Sequence, residues 1–211
     1  MFYITRYSRI KDRRLFHQGE LAYEKKSGSL DDFLEGALTA LSIAYPKFYK
    51  MDRLSKLGFL AMEFLARDSQ LMQRYAPQQV ALVLSNAHAS LDTDLHYFQS
   101  TKSVASPALF VYTLTNIVAG ELSIRHGIKG ENAFFVTPEF DAAQLCDYVD
   151  LVLATEKTGA CIVGWVDVIG DDHDVFLYLV EKQKQKNALE HSAEEVHKLY
   201  QLKYGTVDGR S

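Results

Sequence analysis

The residues able to do chemistry fall into a few groups. His88, Asp92, Asp94 and His96 lie within nine residues, and imidazole and carboxylate ligands so spaced can converge on a metal. Asp92 and Asp94 equally suit a helix N-terminus, where the helix dipole favours negative charge. Asp171-Asp172-His173-Asp174 lacks the glycine and distal glutamate of a calcium loop and reads as a solvated hairpin turn. Neither group is expected to hold a metal. Glu139 and Asp141 open a predicted helix. A buried Glu139 would have a raised pKa and act as a general base, with Asp141 beside it and His88 or His96 as its partner. The same two carboxylates can simply cap the helix. Cys146 and Cys161 are the two cysteines, with neither metal nor redox spacing. They read as small buried apolar residues of a reducing compartment. Lys11, Arg13, Arg14, Lys25 and Lys26 form a basic group, either a docking patch for an acidic protein or a solvated loop. Gly127-Ile128-Lys129-Gly130 is too short for a phosphate-cradling loop and precedes a strand, the wrong order.

These groups must be held by elements that the apolar spacing outlines. Residues 2–8 read as a strand, 9–30 as mixed polar loop, and 31–41 as a helix capped by Asp31 or Asp32. Asp52 opens a strong helix with Leu54, Leu57, Leu60 and Phe64 at helical spacing. Residues 79–85 are a buried strand and 92–100 a short helix. Pro107 stands in the first turn of a helix to about Arg125, apolar on nearly all sides, which ends near Gly127. A strand at 131–137, a helix at 140–155 and a strand at 161–169 follow. The last pairs by hairpin logic with 175–182. A polar tail, 183–211, carries a helix from Ser192 to Tyr204, with His191 and His197 as surface residues. Strand and helix alternate up to the hairpin, which predicts α/β layering with a partly parallel sheet.

With 211 residues, 47% apolar and 24% charged, the chain can bury a sizeable core as one domain, 1–211. The net charge of −4 argues against a broad nucleic-acid face. No apolar run is long enough to span a membrane, and no leader-like run opens the chain. A cytoplasmic location is expected. Aromatics are in excess, with 12 Phe and 12 Tyr, which fits burial against a partner.

Several words in this order resemble the N-terminal half of a β-ketoacyl synthase of the thiolase-like superfamily. YKMDRLSKLGFLAMEFL (49–65) is similar to the family's Arg-Met-Asp segment and first long helix. VALVLSNAHASLDTDLHYFQS (80–100) is similar to its strand and Gly-Thr-Gly-like turn. SPALFVYTLTNIVAGELSIRHGIKGEN (106–132) carries Pro107, Phe110, Asn116, Ala119, Gly120, Gly127, Gly130 and Asn132 in the family's order. CIVGWVDVI (161–169) keeps one of the later strand's two glycines, Gly164.

The resemblance implies half of a thiolase-like fold: a mixed, mostly parallel sheet with helices on its faces and a late antiparallel hairpin. Helices 107–125 and 140–155 would form a central layer that a partner must cover. A condensing synthase needs a cysteine on the strand-to-helix turn, where the helix N-terminus activates the thiol. Counting from Gly130 and Asn132 puts Glu139 at that position, or Phe140 if the match slips by one residue, and neither is a thiol. The histidines that such enzymes draw from a C-terminal half have no counterpart here. The implied protein is thus a non-catalytic, chain-length-factor-like member acting in fatty-acid or polyketide-type chain assembly. Bacterial aryl-polyene or flexirubin-like pathways are the setting it suggests. No cofactor is implied. The implied partners are a second copy, a synthase-like subunit or an acyl carrier protein, with Phe134, Phe135 and Asn116 at the interface. Two other readings stay open: an enzyme acting on acyl thioesters with Glu139 as base, and a binding or scaffold module.

Overall fold

Pairing between the two ends of the chain builds the middle of the sheet. In the computed structural model, which describes residues 1–67 and 69–202, β1 (Tyr3–Lys11) runs antiparallel to β7 (Asp172–Glu181). β7 also pairs with β6 (Ala160–Ile169) in the expected hairpin, closed over Gly170 and Asp171. Beyond β6 lie β4 (Val80–Asn86) and the edge strand β5 (Asn132–Val136), each parallel to its neighbour. On the other side, β2 (Arg14–His17) and β3 (Glu20–Glu24) extend β1 as a meander. A short β8 (Leu189–Glu190) pairs with the start of β1. The order is β3-β2-β1-β7-β6-β4-β5.

The mixed α/β architecture and its late hairpin match the expectation. The parallel part is confined to β4, β5 and β6, less than the majority expected. The difference arises at residues 9–30. Two-residue turns at Asp12-Arg13 and Gln18-Gly19, all four residues at positive φ, fold much of that polar segment into strands. Asp-Arg and Gln-Gly are not the Asn-Gly or Asp-Gly pairs that announce such hairpins. β8 falls likewise inside the polar run 183–190.

Strand alternation sends side chains to two cores. One face of the sheet contributes Leu82, Leu84, Ile162, Val166 and Leu177. It is covered by α1 (Leu30–Ala40), a 3-10 turn (Pro46–Lys50), α2 (Arg53–Ala66) and the single turn α3 (Leu71–Arg74). The other face contributes Ala81, Val83, Cys161, Val163, Phe176 and Tyr178. It is covered by α7 (Ala142–Ala154) and α8 (Ala193–Gln201). Asp52 caps α2 by accepting the Ser55 N–H at 3.0 Å. α8 opens at Ser192 as expected; Tyr204, its expected end, lies outside the described residues.

The segment 107–125 is not one helix. After α4 (Leu91–Ser100), α5 (Pro107–Val111) stops, and α6 (Ile117–His126) starts afresh beside α2 on the first face. The break falls where Thr113 turns its hydroxyl back to the Phe110 carbonyl, 2.8 Å, a local bond that competes with helix continuation. Asn116 is exposed at the N-cap position of α6 rather than inside an apolar helix. Gly127 ends α6 in the left-handed conformation, φ 69°. Gly164 is fixed by crowding: a Cβ there would lie 2.0 Å from the Phe176 carbonyl oxygen across the hairpin.

Candidate functional site

The parallel strands β4, β5 and β6 end together, and their C-terminal loops form the candidate site. β5 runs into Thr137-Pro138-Glu139-Phe140, and Asp141 then caps α7, accepting the Gln144 N–H at 2.9 Å. The Thr137 N–H is bound to the Asn86 carbonyl at the end of β4, 2.9 Å. The Thr137 hydroxyl donates to the Glu139 carbonyl, 2.9 Å. Phe140 is the anchor of the turn. It stacks on Tyr200 of α8 with ring centroids 4.1 Å apart and meets Trp165 and Phe176 edge-on. Glu139 is exposed and lines an open depression of about 810 Å³ with Gln144, Ala193 and His197. Asp141 therefore acts as a cap. Glu139 is turned outward, while His88 is bonded to Asp167 and His96 faces Asp92. The buried base with a histidine partner is not assembled.

At the end of β4 the chain turns through Asn86–Ser90. Asn86 accepts the Ala89 N–H and donates to its carbonyl, 3.0 and 2.9 Å, holding Ala89 at φ 50°. Asp167, near the end of β6, accepts the N–H groups of Ala87 and His88, each at 3.1 Å. Its other oxygen meets His88 Nδ1 at 2.8 Å. The four metal-spaced residues point to different partners. Asp92 accepts the Gly170 N–H at 2.8 Å, Asp94 meets the Ser90 hydroxyl, and His96 lies 3.9 Å from Asp92. In the other acidic group, His173 is buried and Asp174 is paired with Arg9 and Lys11. That end of the hairpin is thus less solvated than the sequence suggests. Burial pushes the Asp174 pKa up, but the bond to Arg9 and the charges of Arg9 and Lys11 outweigh it, so the pKa is lowered. The basic group is dispersed too. Arg13 reaches the Gly28 carbonyl at 2.7 Å, and Lys26 lies 3.9 Å from Glu24.

Cys146 lies within α7, as the sequence indicates, but it has company. Its sulfur is 3.4 Å from His191 Nε2, and His191 Nδ1 is 2.9 Å from Asp150. His191 is buried, contrary to the surface position expected. Burial raises the Cys146 pKa to about 12, so the thiol is protonated and inert at neutral pH. Burial also lowers the His191 pKa despite Asp150. Of the expected interface residues, Asn116 stands at the N-cap of α6, and Phe134 and Phe135 lie on the edge strand β5. Phe134 packs on the first core, and Phe135 meets Tyr148 edge-on, ring centroids 5.1 Å apart, on the second. Asp167 and the Cys146–His191 contact escaped sequence reasoning because both join residues far apart in the chain. The parallel pairing of β4 with β6, which nothing local in the sequence announces, is what brings Asp167 beside the turn after β4.

No family model matches the sequence, and no curated protein matches it. Solved structures do match. The ishigamide ketosynthase/chain length factor superposes with a TM-score of 0.64 at 15% identity, covering 86% of this chain and 62% of that one. A ketosynthase (ApeO) in complex with its chain length factor (ApeC) from Xenorhabdus doucetiae gives 0.55 at 14%, covering 87% and 80%. A β-ketoacyl synthase from Burkholderia phymatum gives 0.57 at 12%, covering 86% and 59%. The fold is therefore that of the ketosynthase and chain length factor structures, the thiolase-like architecture expected. The chain spans about three-fifths of the length of the first and third of these.

Proposed function

We propose that this chain is a non-condensing β-ketoacyl-synthase-like subunit of acyl-chain assembly, working beside a synthase-like partner or an acyl carrier protein. The observation that carries this reading is Glu139. It occupies the strand-to-helix turn ahead of α7 where the resemblance calls for a cysteine, and it is exposed. A carboxylate there is a poor nucleophile toward a thioester. Both cysteines are buried; Cys146 has a pKa of about 12, and complete burial pushes that of Cys161 well up.

A partner is supported by apolar surface. Leu95 and Phe98 on α4, and Phe110, Val111 and Leu114 at α5, are each at least half exposed, and the Tyr97–Phe110 ring contact joins the two helices. An apolar patch of this kind marks an interaction site. The edge strand β5 adds an open row of backbone groups. The outer positions of α7 mix Gln144, Asp147 and Asp150 with Ala143, Leu151 and Ala154, whereas the exposed large apolar side chains cluster at α4 and α5. Among the matched structures, one is a ketosynthase in complex with its chain length factor, and another joins an acyl-carrier protein to its ketosynthase. Among the described residues, no helix is long and apolar enough to cross a membrane. A cytoplasmic setting accords with the two free thiols.

Incubation with acyl and malonyl thioesters tests the reading. We expect no covalent acyl-enzyme and no carbon–carbon bond formation, and a stable complex with a cysteine-bearing ketosynthase from the same organism. Condensation by the isolated chain would overturn it.

A further inference from the structure

We propose that His88 is a general base that activates water against an acyl thioester, with Asp167 as its positioning residue. The substrate class rests on the function proposed above; the base rests on geometry. Asp167 carries four hydrogen-bonding opportunities, and three are used by the loop: two backbone N–H groups at 3.1 Å and the imidazole at 2.8 Å. A carboxylate only accepts, so His88 Nδ1 carries the proton and Nε2 keeps its lone pair. The orientation is over-determined. The Asn86–Ala89 bonds brace the loop, and Ala89 is held in the left-handed region, a backbone cost that tends to collect at functional turns. The imidazole is nevertheless open, with 38% of its side chain exposed against 13% for Asp167. A part-buried orienting carboxylate behind a more accessible imidazole suits a general base.

The register places this pair beside the turn into α7. Val166 and Val168 belong to the core of the α2 face, so Trp165 and Asp167 point to the opposite face, two residues apart on one strand. Trp165 meets the ring of Phe140 at 6.3 Å. His88 and the Thr137–Phe140 turn therefore share one face and one end of the sheet, outside the carboxyl ends of parallel strands, where ligands of open α/β sheets collect.

Neighbouring hydroxyls are committed elsewhere. Ser85 donates to the Gly164 carbonyl, Ser90 to the Thr113 carbonyl at 2.8 Å, and Thr137 to the Glu139 carbonyl. Water is thus the nucleophile. Nε2 takes a proton from water as its oxygen bonds to the thioester carbonyl carbon. The tetrahedral intermediate collapses with cleavage of the C–S bond, and the thiolate leaves with the proton from Nε2. One base of this kind contributes about 10²–10⁴-fold.

The test is hydrolysis of an octanoyl N-acetylcysteamine thioester by the full chain, followed by thiol release. The wild type should exceed the buffer rate. His88→Asn keeps a donor for Asp167 but removes the base, and should lose about 100-fold with an unchanged melting temperature. His126→Gln, on the opposite face, should retain the wild-type rate and pH profile. No hydrolysis by folded wild type, or an undiminished rate in His88→Asn, overturns the dyad. Complex formation with a ketosynthase is measured separately, so the dyad can fail while the subunit reading survives.

Discussion

His191 shows what a single residue does in this fold. Its ring is enclosed between Cys146 and Asp150, and its backbone N–H is bound to Phe2, 2.9 Å. The carboxylate fixes the proton on Nδ1, so Nε2 accepts from the thiol, and only the neutral imidazole satisfies both partners. Burial lowers the pKa of His191, and that of His126 likewise. The unfolded chain then binds more protons than the native one between the lowered values and about 6.5. Stability should be full above that window and fall as the pH drops through it. Thermal melts at pH 7.5 and 5.5 check this, and His191→Gln should flatten part of the slope. Nothing in the polar run around residue 191 announces this role, because its partners lie 41 and 45 residues away. Gly164 was more legible, standing as a lone glycine in an apolar strand. Gly164→Ala must push apart the β6–β7 ladder and should cost about 1–3 kcal/mol or more, read by denaturant titration.

At the scale of elements, caps and apolar periodicity were the legible part. Asp52, Asp141 and Ser192 each cap the helix they announce. Asp52 is buried, and desolvation raises its pKa although Ser55 and Thr93 donate to it. Asp52→Ala should therefore cost about 1 kcal/mol or more through the lost cap and the orphaned Thr93 hydroxyl. Asp52→Asn keeps an acceptor without the buried charge and should cost much less. Two equilibrium unfolding curves separate them. Periodicity failed where polar side chains intervened locally. Thr113, Thr115 and Asn116 divide an apolar run into α5 and α6, and ordinary-looking residues at positive φ turn 9–30 into a meander.

At the scale of the molecule, the thiolase-like layering was legible in the order of short words, although the three superposed structures are only 12–15% identical to this chain. The words that carry the resemblance mark turns and close contacts: Gly130 stands where a Cβ would fall 2.3 Å from the Val80 carbonyl, and Gly127 is a left-handed cap. Contacts between distant strands carry no such local mark, which is why Asp167 was missed. The exposed apolar side chains of α4 and α5 belong to this scale. Phe110→Asp should leave the melting temperature nearly unchanged while weakening association with a ketosynthase at least tenfold by titration calorimetry.

On the proposed reading, residue 139 stands where the resemblance calls for a nucleophile and supplies none. Intact-mass measurement after incubation with an acyl thioester tests this for the wild type, Glu139→Cys and Leu151→Cys. Leu151 is exposed on the last turns of α7, away from the helix N-terminus. The wild type should gain no acyl group. The thiol introduced by Glu139→Cys should acylate at least tenfold faster than that of Leu151→Cys, because a helix N-terminus lowers thiol pKa. Acylation of the wild type, or equal rates in the two variants, would contradict the account.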